Sequence, residues 1–413
     1  MIKKYLLSVL GISLSLGLFA QKYSKEYTQY SEEYPDANGV FIQNNEDAFI
    51  EINEAGELEI SSDHYEERIF LNDNFKYYMY SAIHFSAFNS IDKVKPSVEI
   101  FDGDKYKTSK IKNIYEEDSY TNWIFHDDSR NKNFFYKGLE VGGKTKLSYS
   151  KTYFEPHLFG AFYFSSYLPV KEATYTLTTP ASMEITSKIF GDEKEKISYS
   201  VETKGNKKIH TWTGVNLKQI EQEEGAVSTS YFATHVIVYV NSYEFKNEKK
   251  SFIRDVNDLH TYYRTFVKEV NQDTSDVLNT IADSITAGID NPDEKVKTIF
   301  YWVQDNIKYV AFEDGMGGFI PRNASLVCSR RYGDCKDMSS ILYQMINHVG
   351  VPAYYTWIGS RDIPYTYEQV PTPYSDNHMI CAYHNGENYV FLDATGKNLP
   401  FGMPTALFKG KRP

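Results

Sequence analysis

The stretch "RYGDCKDMSSILYQMINHVG", Arg331 to Gly350, places one of only three cysteines in a 413-residue chain where a loop should turn into a helix. Asp334 reads as the N-cap and Asp337 as its N3 partner in a capping-box-like pair. Cys335 then takes the first helical position. Its sulfur lies near unpaired backbone N–H groups and the positive end of the helix dipole, which favours the nucleophilic thiolate. Lys336 either adds a cation beside it or points to water. Cys335, Met338, Ser339, Leu342, Ile346 and Val349 recur at helical spacing, which predicts one face packed on a sheet with the thiol at its head. Position alone leaves a nucleophile and a buried structural cysteine equally open.

A thiolate catalyst needs a base and a group that orients the base. The segment "DNHMICAYHNGENYVFLDAT" can supply both. Asn385-Gly386 is a two-residue hairpin signal, and His378 and Asp393 are equidistant from it. The two are therefore expected directly opposite each other on one face of the ladder, where a carboxylate can fix the imidazole tautomer. Cys381, an odd number of residues from His378, belongs on the other face. His384 shares the face of His378 but sits at the turn, exposed to solvent. The bland reading is a surface hairpin with a chance His–Asp pair. Three residue types converging in one region favour a catalytic site.

Two regions frame this site. From Gln21 to about Phe245, segments such as "DAFIEI", "KLSYSKTYF", "ATYTLTT" and "HVIVYVNSY" alternate β-branched and aromatic residues between turn formers. They predict an antiparallel β-sandwich with no useful helix. After "KNEKKSF", the segments "DVNDLHTYYRTFVKEV", "TSDVLNTIADSIT" and "NPDEKVKTIFYWVQDNI" read as helices, the last with Asn291 as cap and Pro292 at the first position. A glycine-rich loop, "EDGMGGFIPRNAS", leads into the helix of Cys335, and the strands "PAYYTWIG", "HMICAYH" and "YVFLDAT" follow. The fold class is α+β: residues 21–248 a β domain, 249–413 helices on an antiparallel sheet.

"RYGDCKDMSSILYQMI", "NHMI" and "FLDAT", with the upstream "WVQDNIKYV" and "GGFIPRNAS", resemble the transglutaminase-like superfamily of papain-type cysteine enzymes over about Asn291 to Pro404. The β-rich region before them resembles the domain of unknown function 3857, which commonly precedes this core in exported Bacteroidetes-type proteins. The resemblance implies Cys335 as nucleophile, His378 as general base and acid, and Asp393 as its orienter. It places Gln304 of "WVQDN" where relatives offer a side chain to the oxyanion. It implies acyl transfer on a peptide or protein amide through a thioester, ending in hydrolysis or in cross-linking to an amine, with no cofactor. It also implies a further β domain, whereas the sequence ends at "FKGKRP", so the chain reads as a fragment or a shortened member.

The remaining signals bound the setting. "MIKK" followed by "YLLSVLGISLSLGLF" and Ala20 reads as a signal peptide over residues 1–20, with no membrane span after its cleavage. The expected location is the periplasm, the cell envelope or the outside. Without Lys3 and Lys4, 42 basic residues face 55 acidic ones, a net charge of −13 that repels nucleic acid. A non-catalytic envelope scaffold using the Tyr- and Phe-rich β domain is the rival from another class. A zinc site from Cys328, Cys335, His378 and His348 is a second, but no CxxC or HExxH spacing supports a metal. The β domain carries no cysteine or nucleophile–base pair, so it is expected to bind or position, with the site built wholly after Lys250.

Overall fold

The computed structural model describes residues 22–119, 124–221, 225–272 and 276–411. The proposed signal peptide lies outside the described residues. The first region is dominated by one eight-stranded sheet. Its order is Ile197–Lys204, Lys207–Leu217, Val170–Pro180, Gly39–Ile52, Leu58–Phe70, Lys144–Tyr153, Asn89–Phe101 and Tyr106–Lys110. Alternation does the folding here. In "ATYTLTT" the side chains of Ala173, Tyr175, Leu177 and Thr179 are buried and their neighbours are more exposed. A second sheet, centred on His235–Phe245, turns Val236, Val238 and Val240 onto the same core as Ile50, Ala173 and Leu177. Two sheets thus share one apolar layer, as in a sandwich.

Two expectations need correction. The large sheet is not wholly antiparallel, because Gly39–Ile52 runs parallel to Val170–Pro180, with Phe41 opposite Val170. A long crossover between these strands makes the parallel pairing possible. The first region also contains a helix, α1 (Lys25–Glu33), whose N-cap Ser24 accepts from Tyr27 N–H. Only Tyr30 of its residues is buried, so no apolar periodicity marks it.

The second region follows its capping signals closely. Asp255 caps α2 (Val256–Val267), α3 spans Asp276–Ile285, and Asn291 caps α4 (Pro292–Asn306) with Pro292 in the first turn. A short helix, α5 (Ala324–Arg330), was hidden in what reads as loop, and it ends at Arg331 in a left-handed conformation with φ 60°. Then comes α6 (Cys335–His348). Its capping box forms as expected between Asp334 and Asp337. However, α6 is buried almost all round, Ile341 and Met345 as fully as Leu342 and Ile346, because α3, α4 and α5 pack on the side away from the sheet. The sheet is Ala353–Ile358, His378–His384 and Tyr389–Leu392, in that order and antiparallel.

The two regions are joined by a shared core. Ile237 and Tyr239, on the reverse face of the second sheet, pack with Leu259, Tyr263 and Phe266 of α2 and with Tyr365 and Val370. A parallel strand pair adds to this, with Ala311 opposite Ile124 and Glu313 opposite Asp127. Phe88 meets Phe319 edge-on with ring centroids 5.8 Å apart.

Candidate active site

Cys335 is held by a rigid N-terminal turn. Asp337 is fully buried, and it accepts from Asp334 N–H and from the backbone and guanidinium of Arg322. Burial would push its carboxyl up, but the Arg322 fork and these N–H groups hold it below the usual range. Gly333 has to be glycine, since a Cβ there would meet Asp337 Cβ at 2.5 Å. Lys336 does not point to water. It is buried, paired with Asp334, and donates to Phe312 O at 3.1 Å. The box uses the N–H of Asp337, and Asp334 O takes the N–H of Met338. The N–H groups of Cys335 and Lys336 have no partner among the described residues and remain free at the helix start.

The hairpin brings His378 to this turn in an altered register. Its turn is wider than two residues. Asn385 N–H bonds Asn388 O, while the Asn385 side chain accepts from the N–H groups of Glu387 and Asn388. His384 consequently faces Tyr389, and Cys381 faces Leu392. The shift is by two residues, so face parity survives. His378 and Asp393 share a face but are diagonal rather than directly opposite. Their closest approach, His378 Nε2 to Asp393 Oδ1, is 3.4 Å. That is ion-pair distance without hydrogen-bond alignment, and neither His378 Nε2 nor Asp393 Oδ2 has a hydrogen-bond partner among the described residues. Asp393 Oδ1 also accepts from the Thr395 hydroxyl at 2.6 Å and from its N–H at 3.1 Å.

Burial alone would lower the His378 pKa, but Asp393 and Cys335, both acting on the ring, raise it to about 10. Asp393 is correspondingly held low against its own burial by His378 and Thr395. The imidazole thus shares a cleft with the sulfur and lies 3.4 Å from the carboxylate. Cys381, on the other face, is fully buried in the core of α6, and burial pushes its thiol up to about 12.

Gln304 is elsewhere. Its amide donates to Gly396 O at 2.7 Å and to Leu399 O at 3.2 Å. Both amide hydrogens are used, which leaves none for an oxyanion. Gln304 props the loop that follows Asp393. Cys328 is buried in the α6 core, and His348 pairs with Asp283 at 2.9 Å, so the residues suggested for zinc are dispersed. The described residues contain no group of three His, Cys, Asp or Glu side chains able to hold a metal.

Cys335 and His378 open onto a cleft of about 320 Å³. Four further contributions to the site were not foreseen. Tyr309 contributes a hydroxyl that stays protonated, its pKa raised by burial and by the charges of Cys335 and Asp334. Asp376 is buried, accepts from the hydroxyls of Tyr263 and Tyr367, and is pushed up to about 7 by that burial. Phe408 covers the far side of the imidazole, ring on ring. The first region builds the opposite wall with His84, Phe88, Asp127 and Asp128. Asp128 Oδ2 accepts from Ala87 N–H and from Gly315 N–H, tying that wall to the glycine-rich loop. The site is therefore not built wholly after Lys250. A larger groove of about 980 Å³ between Asp36, Glu193 and Lys218 shares no residue with this cleft.

Two regions of the chain match known families. Residues 279–384 match the transglutaminase-like superfamily, and residues 59–221 match a domain of unknown function with a solved structure, DUF3857. The chain carries a DUF3857 domain followed by a transglutaminase-like core. A protein of Parabacteroides distasonis, provisionally assigned as a protease, superimposes with a TM-score of 0.66 at 14% identity, over 88% of this chain and 72% of its own. That likeness shows the fold. A provisionally assigned cysteine protease of Cytophaga hutchinsonii aligns over 77% of this chain and 80% of its own at 13% identity, but with a TM-score of 0.25. No curated protein sequence matches significantly. A cysteine-type peptidase or acyltransferase is the general class this family supports.

Proposed function

We propose that this protein transfers acyl groups from peptide or protein amides through a thioester on Cys335. One observation carries the reading: Cys335 at the start of α6 and His378 line one cleft, with Asp393 3.4 Å from the imidazole. Cys335 attacks the amide carbonyl as thiolate. The free N–H groups of Cys335 and Lys336 lie where the tetrahedral oxygen develops its charge, and the Tyr309 hydroxyl takes the donor role first given to Gln304. His378 protonates the leaving amine, so the C–N bond breaks and the thioester remains. Asp393 keeps the ring oriented and stabilises its cation. Water or a primary amine then accepts the acyl group, giving hydrolysis or cross-linking. The scaffold reading leaves the meeting of Cys335 and His378 at one cleft, with Asp393 beside the imidazole, without a use.

Partner and location belong to the same proposal: a peptide or protein substrate, met outside the cytoplasm after removal of the N-terminal leader. No helix among the described residues is long and apolar enough to cross a membrane. The test is to incubate the protein with a glutamine-bearing peptide library, with and without a primary amine, and read mass changes. A gain of about one dalton marks deamidation, new termini mark peptide hydrolysis, and amine adducts mark cross-linking. No change under any of these conditions would refute the proposal.

A further inference from the structure

We infer that the free edge of the strand Ala353–Ile358 is a docking rail for an extended segment of the polypeptide substrate, which joins the sheet as an added strand and is led along it into the cleft. The inference rests on the acyl-transfer reading for the purpose of the segment, not for its binding.

The strand pairs with His378–His384 on one side, and no strand among the described residues covers the other. His384 N–H bonds Pro352 O, and Asn377 N–H bonds Ile358 O, so even-numbered residues face the ladder. Odd-numbered residues face away. Asn347 confirms this, since its side chain bonds both the N–H and the carbonyl of Ala353 and closes that end of the edge. Beyond it, the N–H and C=O groups of Tyr355 and Trp357 point outward with no partner among the described residues. Exposed edges are usually blocked along their length by charge, proline or a covering element. Here only the end is blocked.

A groove of about 740 Å³ runs along this edge, with α2 as its far wall. Val256, which is exposed, and half-buried Val267 give that wall apolar surface over buried Leu259 and Tyr263, and Arg264 and His260 are its exposed polar residues. Apolar pockets beside unpaired backbone groups are what strand addition uses: the main chain supplies affinity, and alternate side chains enter the pockets. The groove adjoins the cleft. Trp357 lines both, and Tyr263 and Tyr367 of the groove donate to Asp376, which lines the cleft. The strand runs from Ala353 toward Ile358, whose partner is His378. A segment lying on this edge is therefore delivered toward the reacting side chains.

The test reads binding, so it stands whether or not turnover is found. Fluorescently labelled casein, an unfolded polypeptide, is titrated into the Cys335→Ala protein, and amide hydrogen exchange is measured with and without it. The inference predicts saturable binding, with slowed exchange at the amides of Tyr355 and Trp357. Arg264→Trp and His260→Trp, which fill the groove from exposed positions, should each weaken binding about tenfold or more. Iodoacetamide labelling of Cys335, measured with the native thiol present, should not change in either variant. No binding, binding without protection at Tyr355 and Trp357, or binding unaffected by both fillings would overturn it. So would protection that rises with protein concentration in the absence of casein, because the occupant would then be a second copy of this chain. If wild-type protein transforms no peptide while casein still protects these amides, the acyl-transfer reading fails and the rail survives.

Discussion

Phe408 lies face to face with His378, ring centroids 4.4 Å apart and planes inclined by 17°. Phe408 is buried beside Ile358 and Ile380, and its segment is anchored where Arg361 N–H bonds Leu407 O at 2.8 Å. The ring keeps water off the imidazole and limits its rotation, so the weakly aligned approach to Asp393 persists. Phe408→Ala should lower turnover by about tenfold or more, since a small misplacement of a reacting group is costly. Phe408→Tyr should restore most of it. Equal turnover in the alanine variant would show that the stack is packing alone.

The family resemblance implies Gln304 as the oxyanion donor, whereas the proposed mechanism gives that role to Tyr309, because Gln304 donates to Gly396 O and Leu399 O. Tyr309→Phe should lower kcat by about 10²-fold with little change in folding, as expected for an oxyanion donor. Gln304→Ala should lower the melting temperature, because Gly396 O and Leu399 O lose their donor, with a smaller effect on kcat. The reverse pattern would return the oxyanion to Gln304.

The raised pKa of His378 sets the direction of a pH effect. Its folded value is about 10 against 6.5 for the free side chain. Between these values the folded state holds a proton that the unfolded state has lost, so this contribution is complete below about pH 6.5. It declines as pH rises and is gone above about pH 10. The melting temperature of the native protein relative to His378→Gln should therefore fall over that interval. Asp393→Asn should move the fall to lower pH and reduce turnover by about 10²- to 10⁴-fold, since some correctly oriented imidazole survives. A melting difference that is flat in pH would mean that His378 is neutral in the folded protein.

Much of this was legible beforehand. The capping box of Asp334 and Asp337, the start of α4 at Pro292 and the shared face of His378 and Asp393 follow from local rules of caps, proline and strand parity. The hairpin register was not legible, because one side chain, Asn385, decides between a two-residue and a wider turn. Nor was the burial of Lys336, because its partner carbonyl on Phe312 comes from a loop distant in sequence. The wall of Asp127 and Asp128 depends on how the two regions dock, and no periodicity encodes that contact.

That wall changes what truncation should do. A chain beginning near Lys250 keeps Cys335, His378 and Asp393 but loses the partners of Phe312 and Phe319 and the apolar surface that covers α2. Cys335 should still react with iodoacetamide, while small-peptide turnover should fall by about tenfold or more as the cleft loses one side. Full turnover by a folded truncated chain would show that the first region adds nothing to the site.

The central claim is that Cys335 carries the acyl group. The direct measurement is acid-quenched mass spectrometry of the protein during turnover of a reactive glutamine peptide or its ester, with the modified residue located by peptide mapping. The account predicts an acyl adduct on Cys335, none on Cys328 or Cys381, and loss of both adduct and turnover in a folded Cys335→Ala protein. An adduct on another residue, or turnover retained in Cys335→Ala, would contradict it.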